Sequence, residues 1–274
     1  MPSPEEEYYS YPPSVPAAVI FVIIFVIFLL IHLFRMFKNA NLVLHSFLEV
    51  IGYIARAAGH YNRTSLPLYI LQALLILLAP ILFAASVYMF LSRLIRFTGT
   101  ESHSMIRVTW LTKIFVGGDI LCFLIQGAGG GILSGADTRK SQKLGEGVIL
   151  AGLIIQILIF GVFVVVAMVW QRRISRGWMG KSLDVGFSWE WYLRMLYVVS
   201  VLITVRNLFR VVEYAMGEDG YLLSNEWPIY VFDALLMVIV LGICCLWYVG
   251  QTISKSQNGD IEMRRDSDRF HTER

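Results

Sequence analysis

Read for apolar and polar positions, the chain resolves into seven long apolar runs separated by short polar breaks: 15–34, 42–58, 68–91, 108–131, 147–170, 190–212 and 227–250. Each is close to the roughly 20 residues that carry a helix across the hydrocarbon of a bilayer. The runs are continuous rather than ten-residue alternations, which predicts transmembrane helices and not a barrel. Little chain remains outside them, leaving one bundle domain (15–253) and no soluble catalytic module. Residues 1–14 carry four prolines and are predicted to be a disordered lead. Residues 254–274 mix both charge signs and are predicted to be a disordered tail.

Local chemistry modifies the runs. Pro80 sits inside the third and predicts a kink, since it removes one backbone bond and crowds the preceding turn. The fourth is expected to end around Gly127–Gly131, because a glycine run loses the most entropy on forming a helix. The first is too long for a signal peptide and is preceded by Glu5-Glu6-Glu7 rather than by basic residues, so it reads as a retained anchor.

Basic residues orient the bundle. With the amino terminus outside, the inner loops hold nine (Arg35, Lys38, Arg93, Arg96, Arg107, Arg172, Arg173, Arg176 and Lys181) against four outside (Arg63, Arg139, Lys140 and Lys143). This predicts an external amino terminus and a cytoplasmic carboxy terminus. Asn62-Arg63-Thr64 is a glycosylation sequon in a predicted outer loop. Trp178, Trp189 and Trp191 around the longest inner loop read as interfacial anchors.

Composition agrees with a polytopic membrane protein: 57% of residues are hydrophobic and 16% charged, where a soluble domain carries about a quarter charged. A net charge of +3 is what basic inner loops supply, and nothing points to nucleic acid. Of three cysteines, Cys122 is intramembrane and Cys244-Cys245 lie in the last run, so no external disulfide is available. The adjacent pair reads as small apolar filler, with palmitoylation as the alternative.

The informative residues are the polar ones inside the runs. An ionised side chain at bilayer depth costs at least a few kcal/mol and is kept where something answers it. Helical spacing groups these residues into four stripes: Glu49, Gly52, Tyr53 and Arg56; Asp119, Cys122 and Gln126; Arg206, Arg210 and Glu213; and Glu226, Tyr230, Asp233 and Met237. Stripes of this kind must face inward, which predicts a polar cavity opening outward. Its candidate lining is Glu49, Tyr53, Arg56, Asp119, Gln126, Arg206, Arg210, Glu213, Tyr230 and Asp233. Two readings stand. Either Arg210–Glu213, and Arg206 with Asp233 or Asp119, are ion pairs that fix the bundle's register, or a carboxylate, Asp119 or Asp233, receives a cationic headgroup or a proton.

Catalysis finds no support. His45 and Glu49 at i, i+4 fall short of the three or more ligands a zinc site needs. The glycine run leads out of a helix with no Lys-Ser or Lys-Thr after it, so it is not a phosphate loop. No metal, cofactor or ATP-binding segment is expected.

Several ordered stretches resemble the fungal lipid-translocating exporter family, seven-helix proteins associated with resistance to aminocholesterol. They are Glu49-Val-Ile-Gly52-Tyr53-Ile-Ala-Arg56; Pro80 with Ala84-Ala85-Ser86-Val87-Tyr88-Met89 and Arg93; Gly118-Asp119 with Gln126 through Gly131; Arg206-Asn207-Leu208-Phe209-Arg210 through Tyr214; Gly217 through Gly220; and Glu226-Trp227-Pro228 through Ala234. The resemblance spans nearly the whole bundle. It implies a plasma-membrane protein that exports sphingoid long-chain bases or similar toxic amphiphiles. A sphingoid base has one ammonium and one long tail, so it calls for a buried carboxylate beside an apolar groove. The alternative is a receptor-like lipid sensor signalling through the basic inner loops.

Overall fold

A computed structural model describes residues 13–35, 40–62, 65–135, 138–177, 189–216, 222 and 225–245. Residues 1–12 of the lead, the tail, Arg63 and Thr64 of the sequon, Trp178, Lys181 and Gly217–Gly220 lie outside them.

The seven apolar runs become seven helices, and no strand occurs among the described residues. They are α1 (Val15–Arg35), α2 (Ala40–Gly59), α3 (Leu66–Phe97), α4 (Val108–Ser134), α5 (Arg139–Gly177) and α6 (Trp189–Met216), followed by α7 (Trp227–Cys245). Within α7 the stretch Tyr230–Leu235 is π-helical. A one-turn 3₁₀ helix, Glu101–His103, joins α3 to α4. Consecutive helices are neighbours, α4 with α5 and α2 with α3 most extensively, and α3 also meets α6.

The distribution of side chains is that of a protein solvated by lipid. Ile20, Ile23 and Ile27 on α1, Leu121 and Leu124 on α4, Leu158 and Val162 on α5, and Val201 and Leu208 on α6 are exposed. Glu49, Arg56, Asp119, Arg206, Arg210, Glu213 and Asp233 are all buried. Burying ionisable groups while exposing isoleucine is favourable only where the surroundings are as apolar as the side chains. The protein is therefore a multi-pass membrane protein.

Among the described residues six helices are long and apolar enough to cross a membrane: α1, α3, α4, α5, α6 and α7. The remaining one, α2, has 20 residues, but His45, Ser46, Glu49 and Arg56 lower its apolarity. Those four side chains are buried, while Leu44, Phe47 and Ile54 face outward.

Two sequence expectations need correction. At 39 residues, or about 58 Å of helix, α5 is longer than the run that announced it. Arg139, Lys140 and Lys143, read as an outer loop, are its first turns, and Arg172, Arg173 and Arg176 are its last. The fourth helix does not stop at the glycines but continues to Ser134. A broken helix would leave backbone N–H and C=O groups unpaired in lipid, which outweighs the entropic cost of glycine. The glycines are used instead for close approach. A methyl group at Gly129 would lie 2.8 Å from the Ile149 nitrogen and 2.9 Å from the Gly145 carbonyl, and one at Gly145 2.9 Å from the Leu133 nitrogen. Small residues let membrane helices pack backbone to backbone.

Pro80 is accommodated within a continuous α3. Its consequence appears in the site.

Candidate functional site

Three of the predicted stripes converge between α2, α6 and α7. Arg206 is the centre. Its Nε donates to Asp233 Oδ1 at 2.5 Å, and its Nη2 donates to the Ile76 carbonyl at 2.8 Å. Proline has no N–H to give the carbonyl four residues back. For Pro80 that carbonyl is Ile76, so the guanidinium of α6 replaces the bond that proline deletes from α3. His45 Nδ1 of α2 donates to the Ala79 carbonyl at 2.6 Å. Asp233 itself lies in the π-helical stretch of α7. Arg206 thus joins a continuous helix that carries an internal proline to one widened by a π turn, the latter a feature frequent at functional sites.

Around this centre each arginine meets a carboxylate, and Asp233 is shared by two. Arg210 Nη1 donates to Glu213 Oε2 at 2.6 Å, and its Nη2 lies 4.0 Å from Asp233 Oδ2. Nearer the helix ends, Arg56 donates through Nη2 to Glu226 Oε1 at 3.1 Å and through Nε to the Tyr230 hydroxyl at 3.2 Å. That hydroxyl donates to Glu226 Oε1 at 3.0 Å, and the guanidinium lies 5.4 Å from the Tyr230 ring centroid. Glu226 also accepts the Ser14 N–H, at 2.7 and 2.9 Å. Phe21 of α1 stacks on Tyr230 at 5.3 Å, so α1, α2 and α7 are fastened together at this end.

Among the described residues the network holds three arginines (56, 206, 210) and four carboxylates (49, 213, 226, 233). Each arginine has its acid. Among the described residues Glu49, only 1% exposed, is in no ion pair, and its Oε2 has no hydrogen-bond partner. It sits within electrostatic reach of Asp233, Arg206 and Arg210. The Tyr53 hydroxyl one turn away and Asp233 Oδ2 are likewise buried without a hydrogen bond.

The fourth stripe goes elsewhere. Asp119 and Gln126 are buried, but they belong to a second polar centre among α3, α4 and α5. Tyr88 donates its hydroxyl to Asp119 Oδ2 at 2.9 Å. The Tyr88 ring packs with Phe163 at 4.5 Å and Phe115 at 5.4 Å between centroids. Gln126 Nε2 donates to Gln156 Oε1 at 2.8 Å. Among the described residues no ion pair reaches Asp119, and no group of three histidines, cysteines or acids could hold a metal ion. The single cavity lined by all four stripes is therefore replaced by two polar centres. The reason is angular: Asp119 faces α3 and α5, the neighbours of α4.

Residues 42–256 match the family described as "RTA1 like protein". This chain belongs to the RTA1-like family. It is 38% identical over 203 residues to Protein RTM1 of Saccharomyces cerevisiae, covering 70% of this chain and 61% of that protein. It is 37% identical over 194 residues to Protoporphyrin uptake protein 1 of the same species, covering 71% and 63%. With Sphingoid long-chain base transporter RSB1, also of Saccharomyces cerevisiae, identity is 26% over 235 residues, covering 74% and 62%. The match thus spans somewhat less than two thirds of these relatives' length. No solved structure matches.

In this RTA1-like chain, eight of the ten predicted site residues come together and two sit apart. The sequence offers Asp119 or Asp233 for a headgroup or a proton, with Arg206 as a possible ion-pair partner of either, and the structure pairs Arg206 with Asp233. Sequence reasoning passed over three partners: Glu226 for Arg56, Tyr88 for Asp119 and Gln156 for Gln126. The i, i+4 spacing of Glu226 and Tyr230 was a usable signal, as was Pro80 for the Ile76 carbonyl. Gln156 lies alone in an apolar run and offered none. Cys244 is buried, and Cys245 Sγ lies 3.6 Å from His32 Nε2.

Proposed function

We propose that this RTA1-like protein is an exporter or translocator of amphiphiles, with sphingoid long-chain bases as the favoured class, in the plasma membrane. In this reading all seven helices span the bilayer, with the amino terminus outside and the carboxy terminus cytoplasmic. The polar side chains of α2 face inward and its outer face is apolar, which favours counting it as a span.

One observation carries the reading: among the described residues Glu49 is a buried fourth carboxylate beside three arginines that each already pair with another acid. A buried charge without a partner is costly, and a cation that supplies the partner is bound correspondingly well. The ammonium of a sphingoid base is such a cation, and its tail suits the apolar surroundings. The names of two relatives, for protoporphyrin uptake and for sphingoid base transport, share an amphiphilic cargo.

The test is protein reconstituted into vesicles with a labelled sphingoid base. The expected outcome is protein-dependent movement between leaflets that Glu49→Gln abolishes while the protein still folds. Saturable binding without movement would replace the translocator by a sensor, and unchanged movement by the Glu49→Gln protein would remove Glu49 from the site.

A further inference from the structure

The second polar centre is not used by that reading. Asp119 is 1% exposed, and Tyr88, Phe115, Phe160 and Phe163 around it are all buried. Its Oδ2 accepts the Tyr88 hydroxyl, while its Oδ1 is buried with no hydrogen-bond partner. The groups facing it are few. α3 offers Tyr88, α4 offers Cys122 one turn along, and α5 offers the rings of Phe160 and Phe163.

The occupant is constrained by what is there. A metal cation needs a shell of roughly six oxygens, whereas this site presents one carboxylate and one phenol. The four rings lie 4.5 to 6.1 Å apart between centroids and pack on one another, so an ammonium headgroup would have to displace them. A proton needs no room and only one oxygen, and Oδ1 is that oxygen.

The seam around Asp119 has direction. On α4, Thr112 lies seven residues before it and Gln126 seven after, each step about 10 Å of helix. Thr112 Oγ1 pairs with Ser92 Oγ of α3 at 2.9 Å, and Gln126 pairs with Gln156 of α5. A hydroxyl pair on one side and an amide pair on the other thus flank a single carboxylate. Ser92 Oγ also donates to the Tyr88 carbonyl at 3.1 Å, which ties the first pair to the residue that holds Asp119. A proton reaching Asp119 along the seam from either end would pass one of these polar pairs.

We propose that Asp119 is a proton-binding site, loaded on Oδ1 from water at one end of the α3–α4–α5 seam and discharged to water at the other, and that amphiphile movement is coupled to this transfer. The coupling rests on the translocator reading; the protonation does not.

Two measurements on the full-length protein separate these. In proteoliposomes carrying a labelled sphingoid base, an imposed pH gradient is expected to accelerate movement by wild type. Asp119→Asn is expected to lose that acceleration while still equilibrating the base downhill. In infrared spectra of the purified protein, wild type is expected to show a carboxylic-acid C=O band that disappears in Asp119→Asn and shifts in Tyr88→Phe. A gradient response retained in Asp119→Asn would overturn the coupling. A band that neither variant alters would overturn the proton site. If Asp119→Asn does not fold, an unshifted band in Tyr88→Phe overturns it equally. If wild type moves no sphingoid base at all, the translocator reading and the coupling fall together, and the infrared result alone decides whether Asp119 holds a proton.

Discussion

In the α2–α6–α7 network every arginine has a carboxylate partner, whereas among the described residues the one buried carboxylate of the α3–α4–α5 seam, Asp119, is in no ion pair. Both lie in the interior of a bundle whose outside is apolar, so both face the same cost of burying charge. The first centre meets it with fixed opposite charges, which are rigid and lock three helices in register. The second meets it with a phenol and a group that can become neutral. Fixed pairs make structure, and a group that can lose its charge makes a switch. Glu49 belongs to the first centre by position and to the second by chemistry, since among the described residues it too is in no ion pair.

The largest expected effect follows from breaking the fixed pairs. Arg206→Ala leaves Asp233 uncompensated and the Ile76 carbonyl without a donor, and should cost about 3–5 kcal/mol, as removal of one partner from a buried pair generally does. Thermal unfolding of the purified protein measures it. The second part of the loss can be isolated. In a Pro80→Ala background α3 can bond its own Ile76 carbonyl, so Arg206→Ala should cost about 0.5–1.5 kcal/mol less there. Equal costs in the two backgrounds would mean that Arg206 does not serve as the replacement donor for α3.

This linkage marks how far the sequence could be read. Seven apolar runs and the inward polar stripes were legible because both depend on local spacing and on the cost of charge in lipid. Arg210–Glu213 was legible for the same reason, lying three residues apart on one helix. Pairing between helices was not: nothing in the order of residues says that Asp119 turns to Tyr88 rather than to Arg206. The glycine run misled because its meaning depends on a neighbour. Gly129 reads as a breaker in isolation and as a contact surface once Gly145 is opposite.

That contact gives the next effect in size. Gly129→Ala raises helix propensity but drives a methyl group to 2.8 Å from the Ile149 nitrogen. Backbone cannot yield as a side chain can, so the variant should lose about 1–3 kcal/mol, the usual cost of overpacking. Gly130→Ala is its control, because a methyl group there meets nothing within 4 Å. It should be neutral or stabilising. The same apolar addition one residue apart therefore tests whether α4 continues through the glycines for packing, and equal melting of the two variants would sink that account.

The smallest effect sharpens the contrast between the two centres. Tyr88 and Tyr53 are both fully buried phenols beside carboxylates. The Tyr88 hydroxyl donates to Asp119, while the Tyr53 hydroxyl has no hydrogen-bond partner. Removing a made hydrogen bond costs about 0.5–1.5 kcal/mol and strands its acceptor, whereas removing an unsatisfied buried hydroxyl relieves a desolvation penalty. Tyr88→Phe should therefore lower the unfolding temperature, and Tyr53→Phe should leave it unchanged or raise it. In vesicles the order should invert if Tyr53 belongs to the headgroup site with Glu49: Tyr53→Phe weakens saturation by the labelled base, and Tyr88→Phe leaves that saturation as it was. A Tyr53→Phe protein that is destabilised would show that its hydroxyl is already engaged within the fold, and the α2 side of the network would then be as fully paired as the arginine side.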